Sequence, residues 1–262
     1  MKLNIVPART GIQWVKLGIR TFGRQPLALT ALFFMYMSVA LLLSIVPFVG
    51  PLLGMGIVPG ATLGLMAATQ DAENGKFPTP LVLLSAFRAG RERLRAMLVL
   101  GLLYAACLFG IRMVVALVAD SAALPATVDP TQPLPPELLE SLLLGLVLFT
   151  PVSIMFWHAP ALVHWHGVSP MKSLFFSTVA CLRNWRAMAL YGIAWFLLML
   201  AGGMLISTIA MLSGQTQPSV GVAMPFALLV ATVFSTSLYF TFRDSFVADE
   251  PTPESQPAGD SP

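Results

Sequence analysis

The chain has 262 residues, 56% of them hydrophobic and only 10% charged. A soluble domain carries about 25% charge, so these few charged groups cannot coat a water-exposed surface, and the mean hydropathy of +0.79 makes lipid the expected solvent. The net charge of +3 is no nucleic-acid footprint, because no Lys/Arg run is interleaved with aromatics and the basic residues gather at membrane edges.

Residues 8–24 read as an amphipathic helix. At 100° per residue, Arg9, Lys16, Arg20 and Arg24 fall within an arc of roughly 80°. Ile12, Val15, Ile19 and Phe22 lie opposite, with Trp14 and Leu17 on the flanks. Such a helix can lie on an anionic leaflet with its basic residues toward the head groups. Packing on the protein's own cytoplasmic face is the plainer alternative. The first long apolar run, 26–46, follows five basic residues and is itself long enough to span, unlike a signal peptide. A Pro/Gly turn at 46–51 leads into the second span, 51–69. There Gly56, Gly60 and Gly64 stand four apart, on one helical face, with Pro59 among them. Close approach of another helix is the expected use of that face; a kinked helix lining a cavity is the alternative.

The stretch 70–95 carries Lys76, Arg88, Arg91, Arg93 and Arg95, and 80–93 reads as a short interfacial helix. The third span covers 96–119. The loop 120–136 has five prolines and no Lys or Arg, which predicts irregular structure. The fourth span, 138–163, contains Pro151 and Pro160. A second interfacial helix starts at Ser169-Pro170, where Ser169 can cap and Pro170 suits the first turn. The fifth span covers 187–212 and the sixth 221–242. Residues 247–262, acidic and Pro-rich, read as a disordered tail.

Threading the six spans alternately puts fourteen of the fifteen Lys and Arg residues on one face; only Arg112 departs. By the positive-inside rule that face is cytoplasmic, and so are both termini. The expected division is a 1–25 interfacial segment, a 26–246 transmembrane domain and a 247–262 tail. The fold class is an all-α polytopic membrane bundle, six transmembrane helices plus an N-terminal and two internal interfacial amphipathic helices.

An internal repeat of about 90 residues runs through it. Pro59 pairs with Pro151, Pro80 with Pro170, Arg95-Ala96-Met97 with Arg186-Ala187-Met188, and Gly101 with Gly192. A shift of two spans preserves orientation, so the copies would be parallel.

The second interfacial helix runs on to Ala180-Cys181-Leu182-Arg183-Asn184-Trp185-Arg186, and the chain opens on Pro7-Ala8-Arg9-Thr10-Gly11 with Trp14. Together these resemble a family of roughly 260-residue, six-span proteobacterial inner-membrane proteins of unknown function. The resemblance covers most of the chain. It implies fold and location, and no catalytic or ligand residue.

Arg112 is the lone ionisable residue well inside a span, and intramembrane charges are often functional. Glu137 and Glu140 open the fourth span at the same outer level, so Arg112 is expected to approach Glu140 first and Glu137 second. His158, His164 and His166 suggest a metal, but offsets of six and two do not share a helix face. Placement at the head-group level beside Trp157 and Trp165 accounts for them better. Cys107 and Cys181 are 74 positions apart in segments that suit neither a disulfide framework nor a metal site. The fourteen methionines are scattered, as packing residues are.

No Walker loop, H-E-x-x-H, G-x-S-x-G or intramembrane acid pair is present. No enzyme and no cofactor are therefore expected. The favoured function is a non-enzymatic protein that organises lipid or a partner protein. The alternative is a permease or channel for a small neutral or anionic solute through spans 51–69 and 138–163. Expected partners are membrane lipids, with anionic head groups at the cytoplasmic face, and either a partner protein or a second copy of the chain.

Overall fold

The computed structural model describes residues 2–118, 135–214 and 220–247. The loop expected at 120–136, up to residue 134, and the tail beyond Val247 lie outside the described residues. Six helical segments are long and apolar enough to cross a membrane: Pro26–Ser44, Gly50–Glu73, Arg91–Val118, Pro136–His166, Trp185–Leu212 and Gly221–Ser245. The protein is an all-α polytopic bundle, as its composition predicts.

The chain opens with strand β1 (Lys2–Leu3) and helix α1 (Thr10–Arg24). Helix α2 (Pro26–Ser44) is the first span, with Pro26 in the opening turn, where a missing N–H costs nothing. The second span is broken: α3 (Gly50–Gly56) gives way at Ile57 to α4 (Val58–Glu73), with Pro59 at the start of the second half. A 3-10 turn (Pro80–Leu84) and the one-turn helix α5 (Ser85–Arg88) follow. The interfacial helix expected over 80–93 is therefore cut short, because Gly90 takes φ +100° and ends it before α6 (Arg91–Val118) begins.

The fourth span is broken too: α7 (Pro136–Phe156) stops at Trp157-His158, and α8 (Ala159–His166) restarts with Pro160 in its first turn. Helix α9 (Pro170–Arg183) is the second interfacial helix. Long helices α10 (Trp185–Leu212) and α11 (Val220–Ser245) complete the bundle, and strand β2 (Phe246–Val247) ends the described chain. Both halves of the bundle thus contain a broken span, a short amphipathic element and a long span. The sequence pairing of Pro59 with Pro151 is not the architectural one. Pro151 lies inside the unbroken α7, on an exposed position, whereas Pro160 starts a second half-helix as Pro59 does.

The core gathers around the second span, 56% of whose apolar window is buried against 6–22% in the other spans. Leu63 and Met66 meet Trp14, Leu100, Leu162, Tyr191 and Phe240 there. The glycine face of span two packs as its spacing predicts. A methyl added at Gly60 would meet the Phe87 ring, at Gly64 the backbone of Leu83, and at Gly56 the Gly101 carbonyl. The other member of the repeat, Gly192, has open space around it. The shared glycine therefore carries a helix crossing in one half only.

Strands β1 and β2 pair antiparallel, Lys2 opposite Val247 and Leu3 opposite Phe246. Asn184, at the elbow between α9 and α10, fastens the pair. Its Oδ1 accepts from Val6 N–H at 2.9 Å, and its Nδ2 donates to the Asn4 carbonyl at 3.0 Å. The first and last described residues therefore meet on one face of the bundle.

Candidate functional site

The face that joins the two strands is also the basic face, and α1 is its organising element. Its protein-facing side is set by small residues rather than by the isoleucines. Gly11 lies against the Ala187 carbonyl of α10, and Gly18 against the backbone of Ser237 in α11. Thr10, Trp14, Val15 and Thr21 are buried with them. Trp14 is fully enclosed; its Nε1–H donates to Asp244 Oδ2 at 2.9 Å, and its ring meets Tyr191 edge-on at 6.0 Å. Val15 is buried against the bundle, while Ile12 and Ile19 are exposed. They form an apolar edge beside the cationic arc, as in helices that sit at a membrane surface.

The four basic residues of this segment, Arg9 just before α1 and three within it, are all exposed. They divide by partner: Arg9, Lys16 and Arg20 form no ion pair among the described residues. Arg24 instead pairs with Glu73 at the end of α4, Nη1 to Oε2 3.1 Å, and Thr21 Oγ1 donates to the same carboxylate oxygen at 2.8 Å. Its charge is spent on fastening α1 to span two. A cavity of about 570 Å³ lies between the start of α6 and the turn from α8 to α9. Glu92, Arg93 and Arg95 line it together with Val99, Val163 and Val168.

At the opposite face, Arg112 does not join Glu140 or Glu137: among the described residues no ion pair links them. Arg112 lines a shallow groove against α7 with Ser141, Gly145 and Leu146, while Glu137 and Glu140 stand exposed. The expectation took outer level alone as a guide to contact. The groove shows that Arg112 faces α7 along the turns that follow its acidic start.

The break in span four is built by α9. Ser177 Oγ accepts from His158 N–H at 2.9 Å and donates to the Ile154 carbonyl at 2.9 Å, so it serves both freed backbone groups. Cys181, one turn on, is buried beside the same carbonyl, and burial pushes its thiol up to about 12. His158 faces the protein interior rather than lipid or solvent. It is fully buried, 5.6 Å from the Phe246 ring and 6.1 Å from Phe242. Trp157 is half-buried, and its Nε1–H donates to Thr241 Oγ1 at 3.1 Å.

Sequence reasoning also missed the polar row of span six. Thr232, Ser235, Thr236, Ser237 and Thr241 are all buried, and each hydroxyl donates to a carbonyl three or four residues back. Ser237 also bonds the Tyr191 hydroxyl at 2.5 Å. The run Ser235-Thr236-Ser237 inside an apolar segment was the available signal, since small polar residues mark helix–helix faces in membranes. Chemically the row is satisfied within the helix, so it offers packing rather than a hydrated path.

No family model matches the chain, and no solved structure matches it. The chain is similar to a probable inner membrane protein of Burkholderia thailandensis, 36% identical over 259 residues and covering 96% of each chain. Identity at that level over nearly the whole of both chains, joined to six membrane-length apolar helices, places this protein in the same family of multi-pass inner-membrane proteins.

Proposed function

We propose that the protein is a non-enzymatic organiser of the inner membrane, gathering anionic lipid or a partner protein at a basic cytoplasmic face. The observation that carries this reading is the state of α1. One side is fixed to α10 and α11, while Arg9, Lys16 and Arg20 stand exposed beside Ile12 and Ile19. A rigid cationic ridge with an apolar edge attracts acidic head groups at about 1 kcal/mol per basic residue. The positive-inside rule supports a cytoplasmic position for this ridge and for both termini, and the β1–β2 pairing supports their common side.

The permease reading draws on the breaks in spans two and four, since discontinuous helices line transporter sites. Their surroundings weigh against it. The cavity beside Gly56 and Gly60, about 330 Å³, is walled by side chains such as Leu53, Ile57, Phe87, Met97 and Leu102, none of them charged. The break in span four is filled by aromatic rings.

The test is reconstitution into vesicles of phosphatidylcholine and phosphatidylglycerol carrying a fluorescent phosphatidylglycerol. The wild type is expected to enrich the labelled lipid around itself, read by energy transfer. The triple variant Arg9→Gln, Lys16→Gln, Arg20→Gln is expected to lose most of that enrichment. Equal enrichment in both proteins refutes the organiser reading. Protein-dependent flux of small solutes across the same vesicles establishes the permease instead.

A further inference from the structure

The cavity between the start of α6 and the α8–α9 turn has two chemistries on its walls. Arg93 and Arg95 supply two guanidinium groups, and among the described residues neither forms an ion pair. Glu92 is the single carboxylate among the lining residues, so the charge of the lining is net positive. Apart from Ser169 the rest of the wall is apolar, with Ala96 and Val99 at the start of span three and Val163 and Val168 around the α8–α9 turn. The cavity therefore joins cationic groups to apolar side chains where span three begins. A soluble anion would use the arginines and leave the valines wet. An amphiphile uses both. At about 570 Å³ the space falls in the range of ligand sites.

The internal repeat makes the same point from another direction. In the second Arg-Ala-Met entry, Ala187 is covered by Gly11 of α1. In the first, Ala96 lines the cavity. One copy is closed by the protein's own amphipathic helix; the other presents the same kind of helix start to a ligand.

We propose that this cavity binds one anionic phospholipid, its phosphate held by Arg93 and Arg95 and its first methylenes laid on Val99, Val163 and Val168. Guanidinium forks match phosphate oxygens in pairs. The inference rests on the organiser reading, to which it adds a defined lipid site distinct from the ridge of α1.

The experiment uses the full-length protein, reconstituted with phosphatidylcholine and phosphatidylglycerol, extracted in mild detergent and weighed by native mass spectrometry. The wild type is expected to retain a single phosphatidylglycerol. Arg93→Gln with Arg95→Gln is expected to weaken retention roughly thirtyfold. Val99→Trp, which fills the apolar wall and leaves the charges in place, is expected to expel the lipid as well; unchanged thermal unfolding in detergent certifies both folds. The α1 triple variant is expected to keep the adduct, so loss of enrichment in vesicles and loss of the adduct report on different sites. Retention by the Arg93/Arg95 variant equal to wild type overturns the proposal, as does equal retention of phosphatidylcholine. Displacement of the lipid by millimolar inorganic phosphate also overturns it, by identifying a soluble-anion site.

Discussion

At Gly101 the third span passes so close to α3 that a methyl group would strike the Gly56 carbonyl. Crowding of this kind costs about 1–3 kcal/mol. Gly101→Ala is therefore expected to lower the thermal unfolding midpoint in detergent, whereas Gly192→Ala, in open space, leaves it unchanged. Asn184 is the polar counterpart of this contact. Asn184→Ala strips Val6 N–H of its acceptor and is expected to cost about 1–3 kcal/mol, read in the same melt and accompanied by faster hydrogen exchange at Val6. Cys181 adds a chemical test. Thiolate is the species that alkylates, and burial raises the thiol from 9.0 to about 12. Alkylation of the folded protein is thus expected to stay slow as pH rises through 9, and to accelerate only on unfolding in dodecyl sulfate. Ready labelling near pH 9 in the folded state contradicts the burial.

At the scale of elements, Ser177 decides how the fourth span can stop and restart inside the bundle. Ser177→Ala leaves His158 N–H without its acceptor, at about 1–3 kcal/mol, and leaves the Ile154 carbonyl with only the weak Cys181 thiol. The expected result is faster exchange at His158 with α9 itself intact. This is also where the sequence is least informative. The six spans were legible because uncharged runs of membrane length admit few other solutions. The break in span four was not, because the group that serves it, Ser177, sits on another helix. Pro151 and Pro160 carried equal weight as residues, and only the presence of Ser177 opposite the gap tells which one begins a new helix. The side of α1 that meets α10 and α11 was not legible for a related reason: hydropathy assigns no weight to Gly11, Gly18 or Thr21, yet close backbone approach selects them. The Gly56, Gly60 and Gly64 face was readable because its spacing alone encodes the packing. The partners of Arg112 were not, since shared depth says nothing of which side of a helix a residue occupies.

At the scale of the whole molecule, the bundle has a tight end and a loose one. Trp14, Tyr191, Phe240, the Asn184 node and the paired strands crowd the basic face, while the far half of α10, including Met204, Leu205, Met211 and Leu212, is exposed to the surroundings. Orientation is open to direct measurement. In intact spheroplasts a membrane-impermeant maleimide is expected to label Asp129→Cys at once and Gln13→Cys only after lysis. The reverse pattern would turn the entire assembly over.

The strand pair that closes the chain has a consequence for biogenesis. Helix α1 leaves the ribosome well before the surfaces that receive it, Ala187 and Ser237, which lie far downstream in the chain. At about 5–20 residues per second the delay is on the order of ten to forty seconds. Throughout that interval the newborn segment, cationic and greasy at once, has no protein to rest on, and the nearest shelter is the bilayer that the translocon is filling. Assembly would then lift this earlier piece off the lipid and lock it in with the later α10 and α11.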